Sequence, residues 1–250
     1  MADEGVLFEG VRLGSRRAFE ELLDHVDPTM RRLGRLYVPE AAVGPLVATT
    51  WQVALPGLDM FTWHTSLRAW LTGIFVTYAR AAAVTAPRAD APSAGPVPVR
   101  DPAVVGDVPW ETLAWSAHWS PTYWADLADT LASLPLPQRE VLWLRDVERW
   151  ELRETLDCLG LTAAQGEQLL DAGHDTVAAG VATLVSASPA AVADRGRRHH
   201  GVTRLLAELR QDPAAATDPG PARVFTVWRR HRRVRVWRRW SWELGRRRAG

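Results

Sequence analysis

Residues 131–185 read LASLPLPQREVLWLRDVERWELRETLDCLGLTAAQGEQLLDAGHDTVAAGVATLV. Apolar side chains recur along this stretch at helical spacing. They are Val141, Leu142, Leu144 and Val147, then Leu152, Leu156 and Leu159, then Leu169, Leu170, Val177 and Val181. Pro137 suits the first turn of a helix, because the N–H it lacks would be unpaired there anyway. Gly160 suits the left-handed position that closes a helix. Thr162, with Gln165 three residues later, makes a reciprocal cap that starts the next one. Two helices joined by a short Gly-containing turn outline a helix-turn-helix, with breaks expected near Arg149–Glu151 and Gly160–Leu161.

Upstream, residues 5–84 read as an all-helical domain. Phe19, Leu22, Leu23 and Val26 form one stripe. Asp27 followed by Pro28 reads as a cap and first-turn proline opening a helix through Met30, Leu33, Leu36 and Tyr37. A third helix carries Leu46, Val47, Trp51 and Leu55 and is expected to stop before Pro56. A fourth starts near Thr65-Ser66 and carries Leu67, Trp70, Leu71, Ile74, Phe75 and Tyr78.

The segment LPLPQREVLWLRDVERWELRETLDCLGLT resembles region 4 of the extracytoplasmic-function (group 4) sigma factors of the sigma-70 family of bacterial RNA polymerase. AFEELLDHVDPTMRRLGRLYV, LVATTWQVAL and TSLRAWLTGIFVTYAR resemble region 2 of the same family, in the same order. Together the resemblances cover roughly residues 15–84 and 127–185. They imply a polymerase-binding helix bearing Leu46, Val47 and Trp51. They imply a −10 DNA surface with Arg68, Trp70, Thr77, Tyr78 and Arg80. They also imply helix-turn-helix DNA contacts from Arg145, Thr162, Gln165 and Gln168.

The positions that would touch partners differ from the family's pattern. Where the family has an acidic run like DAEDLVQETF, this chain has AVGPLVATTW (Ala42–Trp51), which lacks the carboxylates for charge-assisted contacts. The aligned recognition segment, Ala163–Val177, is AAQGEQLLDAGHDTV. Glu167, Asp171 and Asp175 fall on one face there, where cations would neutralise phosphates. Gly166, Gly173 and Gly180 read as weak points, each costing a helix about 1 kcal/mol against alanine.

Charge is split along the chain. Residues 223–250 hold eleven arginines and one glutamate, about +10, and the other 222 residues carry about −9. The chain has no lysine. On a helix, Val227, Val234, Trp237, Trp240 and Leu244 fall near one face of this tail. Its basic positions include Arg229, Arg230, Arg232, Arg233, Arg235, Arg238 and Arg239. Clustered Arg with interleaved Trp fits nucleic acid or an anionic membrane surface. A merely solvated tail and docking onto the acidic body are the other readings. Trp110, Trp115, Trp119 and Trp124 read either as a helix edge packed on the second domain or as an aromatic platform. Cys158, the only cysteine, reads as a small buried hydrophobe. His199-His200 reads as a solvated pair in an Arg-rich loop, followed by one short helix over GVTRLLAELRQ.

These observations predict an all-α fold of two small helical domains. The expected boundaries are 1–84 (region 2-like), 85–109 (Pro-rich linker), 110–185 (Trp-rich lead-in and helix-turn-helix), 186–222 (linker with one short helix) and 223–250 (Arg/Trp-rich tail). The expected function is that of a sigma-like factor in transcription initiation or its regulation. The alternative is a sigma-like protein that no longer reads promoters and works as a protein-interaction module, its tail binding nucleic acid non-specifically or an anionic membrane. Core RNA polymerase, an anti-sigma or other protein, and DNA through the tail are the implied partners. No catalytic constellation, metal site or cofactor motif is read, so no enzyme is expected. No apolar run reaches the roughly 18 residues of a membrane span, and the N-terminus lacks a signal peptide's pattern, so a cytoplasmic location is expected.

Overall fold

The structure is a computed structural model that describes residues 3–85, 127, 129–182, 195–209, 220–230 and 232. The chain forms two compact units, one from residues 1–84 with 214–250 and the other from 85–213. All regular elements among the described residues are helical. The Pro-rich stretch beyond Thr85 and the four tryptophans between 110 and 124 lie outside the described residues.

In the first unit, α1 (Glu4–Arg12) is capped by Asp3, whose carboxylate accepts from the Gly5 N–H at 2.9 Å. Gly14, at φ +82°, turns the chain into α2 (Arg16–Gly34), which Ser15 caps. The sequence places a helix start at Asp27-Pro28, but α2 runs through it without a break. Asp27 is not a cap: its carboxylate accepts from Arg31 Nε one turn on, and both side chains are buried. Pro28 removes the N–H that would bond to the Asp24 carbonyl one turn back, while Phe19, Leu22, Val26, Met30 and Leu33 bury one continuous stripe on either side of it.

The helix α3 (Glu40–Gly57) likewise continues through Pro45 and past the expected stop at Pro56, and a 3₁₀ turn, Leu58–Met60, follows it. Burial of Val43, Leu46, Val47, Thr50, Trp51, Ala54 and Leu55 outweighs the lost N–H donors. The last long helix of this group, α4 (Leu67–Thr85), begins where the sequence indicates. Ser66 Oγ accepts from the Ala69 N–H, and Glu4 accepts from the Leu67 N–H at 2.9 Å, which ties α1 to the start of α4.

The second unit contains helical residues 129–133, then α5 (Leu136–Leu142), one π-helical turn (Trp143–Val147), α6 (Leu152–Leu159), α7 (Ala163–Ala182) and α8 (Arg195–Glu208). Its breaks coincide with those read from sequence: Arg149 adopts φ 61°, and Gly160 closes α6 at φ 68°, ψ 37°. Cys158 is buried.

Two features of this unit differ from the sequence reading. The glycines of α7 are close-approach positions rather than weak points. A Cβ at Gly166, Gly173 or Gly180 would lie 2.1 Å from Leu156, 2.8 Å from Leu142 or 2.6 Å from Thr130 respectively. Spaced seven apart, they form a seam on which the preceding helices sit. In addition, α8 starts at Arg195, inside the stretch read as a loop. Its Val202, Leu205 and Leu206 are fully buried with Leu127, Leu131, Leu134, Leu142, Val147 and Val177. The helix read as part of a linker therefore completes the core of the second unit.

Candidate functional site

The residues aligned with a polymerase-binding helix are core residues. Leu46, Val47 and Trp51 are all buried, and Trp51 packs edge-on against Phe19 with ring centroids 5.0 Å apart. On α4, Thr77 and Tyr78 are exposed, while Arg68, Trp70 and Arg80 are half-buried. Trp70 joins an aromatic cluster with Phe61, Trp63 and Phe8, whose neighbouring centroids are 4.9–5.4 Å apart. Trp63 remains 54% exposed and Met60, three residues earlier in the chain, 84%. Phe61 and Trp63 lie outside the helical periodicity of the sequence. The signal available was FTWH, two aromatics within four residues between two helices.

In the helix-turn-helix, the Thr162 and Gln165 side chains are engaged with each other. Gln165 Oε1 accepts from the Thr162 N–H at 3.0 Å, and Thr162 Oγ1 accepts from the Gln165 N–H at 3.3 Å. This is the capping box the sequence indicates. Arg145 Nη1 donates to the Trp150 carbonyl at 3.1 Å and so braces the loop at Arg149. Gln168 is exposed and lines a shallow groove with Gln138, Leu161, Gln165, Leu169 and Ala172.

The acidic face of α7 is partly covered from within the unit. Asp175 accepts from Arg195 Nη2 at 2.8 Å and from His199 Nε2 at 2.9 Å. Arg195 also lies 3.4 Å from Asp171. His199 is thus a half-buried clasp residue of α8, not a solvated loop histidine. Its hydrogen bond is the main reason that the Asp175 carboxyl lies below its ordinary value, with Arg195 adding to the effect.

Deeper in the same junction, buried His174 donates through Nε2 to Asp146 on the π turn at 2.6 Å, and Thr203 of α8 donates to the other Asp146 oxygen at 3.3 Å. Thr203 Oγ1 also lies 3.4 Å from His174 Nε2. A proton relay of the Ser/His/Asp kind needs hydroxyl and carboxylate on opposite ring nitrogens. Here both meet the same nitrogen, so the trio pins three elements together. Among the described residues no group of three or more His, Cys, Asp or Glu is placed to hold a metal ion.

The described part of the Arg/Trp-rich tail is residues 223–230, within a helix that spans 220–230, together with Arg232; it belongs to the first unit. Its buried anchor is Phe225, stacked on Phe19 at 4.2 Å with the rings nearly parallel. Val227, placed by periodicity on an apolar face, is 53% exposed. Arg232 donates to Asp59 at 3.3 Å, Arg230 is exposed and Arg229 half-buried. Arg233, Arg235, Trp237, Arg238, Arg239 and Trp240 lie outside the described residues. No described helix is long and apolar enough to cross a membrane.

These helices define an all-α, two-unit fold of the sigma type. A solved structure described as "Structure of CnrH in complex with the cytosolic domain of CnrY" is similar, with a TM-score of 0.51 at 22% identity over 70% of this chain and 94% of that chain. CnrH is an extracytoplasmic-function sigma factor, and at this identity the likeness is one of fold. No protein-family model matches the sequence, and no curated protein does so either.

Proposed function

We propose that this chain is a sigma-like factor of the extracytoplasmic-function type that acts in transcription initiation or its regulation, and that α7 no longer reads promoter DNA. The carrying observation is the make-up of α7 on a sigma-type scaffold. From Ala163 to Ala182 it contains no arginine or lysine. Two of its three carboxylates, Asp171 and Asp175, are paired with α8, and Glu167 stays exposed. Phosphate neutralisation and counterion release supply most duplex affinity, and this helix offers neither. Of its candidate base-reading amides, Gln165 is tied into the cap. A protein partner in the cytoplasm fits better, and CnrH in its solved structure is likewise in complex with a protein. Core polymerase remains a partner in this reading, held less tightly than by a factor with an acidic α3, because the Ala42–Trp51 run offers no charge.

The test is a titration of the full-length protein against core RNA polymerase and against promoter and scrambled duplexes. Polymerase binding weaker than nanomolar at physiological salt, with no promoter preference, is expected. Nanomolar binding together with promoter preference would establish an ordinary sigma factor instead. A complete lack of polymerase binding would remove transcription initiation from the reading.

A further inference from the structure

The helix at 220–230, with Arg232 beyond it, carries a stripe at i, i+3, i+4 and i+7: Phe225, Trp228, Arg229 and Arg232. Each member of the stripe meets a neighbour. Phe225 is 2% exposed and stacks on Phe19, which is backed by Trp51. Trp228 lies 5.5 Å from Phe225 and is roofed by the Arg232 guanidinium at 5.1 Å. Arg232 reaches Asp59 on the 3₁₀ turn. Arg229 runs over Gly14, where a Cβ would meet its side chain at 3.3 Å. Gly14 therefore serves both the left-handed turn and the passage of this arginine.

The manner of attachment differs from that of a core helix. Where α8 buries Val202, Leu205 and Leu206 together, this helix buries Phe225 and Pro221, and Arg223, Thr226, Val227 and Arg230 face solvent. One desolvated aromatic anchor with a cationic rim is the anatomy of a docked protein–protein segment. A helix of this length is marginal on its own in water, so it holds its shape through docking. Local opening begins at segments with few buried apolar contacts.

We propose that the groove formed by Gly14, Phe19 and Asp59 is a reversible helix-docking site. Residues 220–230 and Arg232 occupy it in cis and leave it as a unit, and the same segment supplied in trans takes their place. The partner chemistry this groove selects is a short helix with an aromatic anchor followed one and two turns on by arginine. Release exposes Phe19 and frees the base of the arginine-rich tail.

The experiment uses the full-length protein and a fluorescent peptide of residues 219–233, with neither polymerase nor DNA, so its outcome is independent of any role in transcription. Phe225→Ala, shown folded by circular dichroism, is expected to bind the peptide at least about tenfold more tightly than the wild type, because the tethered segment competes at a high effective concentration. A peptide carrying Phe225→Ala is expected not to bind, and Asp59→Ala in the protein to weaken binding. Equal binding by wild type and variant, or undiminished binding of the substituted peptide, would show only cationic adhesion and would overturn the proposal. So would an absence of binding to the folded variant. Hydrogen exchange on the wild type gives a second check that needs no substitution. Residues 221–232 are expected to exchange faster than α2, and matching protection would make the helix a fixed part of the core.

Discussion

A methyl group at position 173 would lie 2.8 Å and 3.0 Å from two carbons of the Leu142 side chain, which is itself buried. Gly173→Ala sets two effects against each other. Helix propensity favours alanine by about 1 kcal/mol, and overpacking a closed core costs about 1–3 kcal/mol. Because Leu142 has no room to swing away, the second effect is expected to win. Urea unfolding should show a net loss of about 1 kcal/mol; a gain in stability would mean that the seam is loose. Residues whose partners are near in sequence were legible beforehand. Thr162 and Gln165 cap each other within one turn, and Gly160 closes a helix by its own backbone freedom. The role of Gly173 is not visible in its own helix, because it depends on Leu142, thirty-one positions away. Phe225 was passed over for a similar reason: the face it occupies is set by Phe19, not by the tail's own periodicity.

At the scale of elements, long amphipathic helices were recovered and proline was over-read as punctuation. Pro28 and Pro56, expected to start and to end a helix, both sit inside one, as does Pro45, because burial of the apolar stripes outweighs one missing donor. In the opposite direction, the first turns of α8, RGRRHH, carry no apolar stripe, so the sequence does not mark them as helix. Those turns are held by charge instead, and the hold has a pH dependence whose sign follows from Asp175. Its carboxyl lies below the ordinary value of 3.8. The stabilisation is therefore fully present above that value and is lost as pH falls below it through the folded-state value. Thermal unfolding followed from neutral to acidic pH should show this loss in the wild type, with a smaller dependence in Asp175→Asn. Identical profiles would mean that the clasp between α7 and α8 contributes nothing to stability. The aromatic cluster around Trp63 was out of reach of periodicity, since Phe61 and Trp63 lie in a turn that only the packing of α1 and α4 brings together.

For the whole molecule, the charge split read from composition sets the expectation for nucleic acid. Seven of the eleven tail arginines lie within residues 233–250. If about six reach phosphates, log K should fall with log salt at a slope of roughly −5 on duplex DNA, each contact contributing about −0.9. Removing residues 233–250, which spares the docked helix, is expected to abolish binding, and promoter and scrambled duplexes should behave alike. A truncated chain that still prefers promoter would return DNA reading to the helix-turn-helix.

The first unit is assembled from the two ends of the chain, residues 1–84 and 214–250, and this fixes an order of events during synthesis. Phe19 leaves the ribosome long before Phe225 exists. With about 200 residues between them and elongation at about 5–20 residues per second, the interval is roughly 10–40 s. Throughout that time the nascent first unit presents an aromatic cleft without its lid. A helix of the kind proposed above, carried by another protein, can therefore reach the cleft before Phe225 is there to fill it.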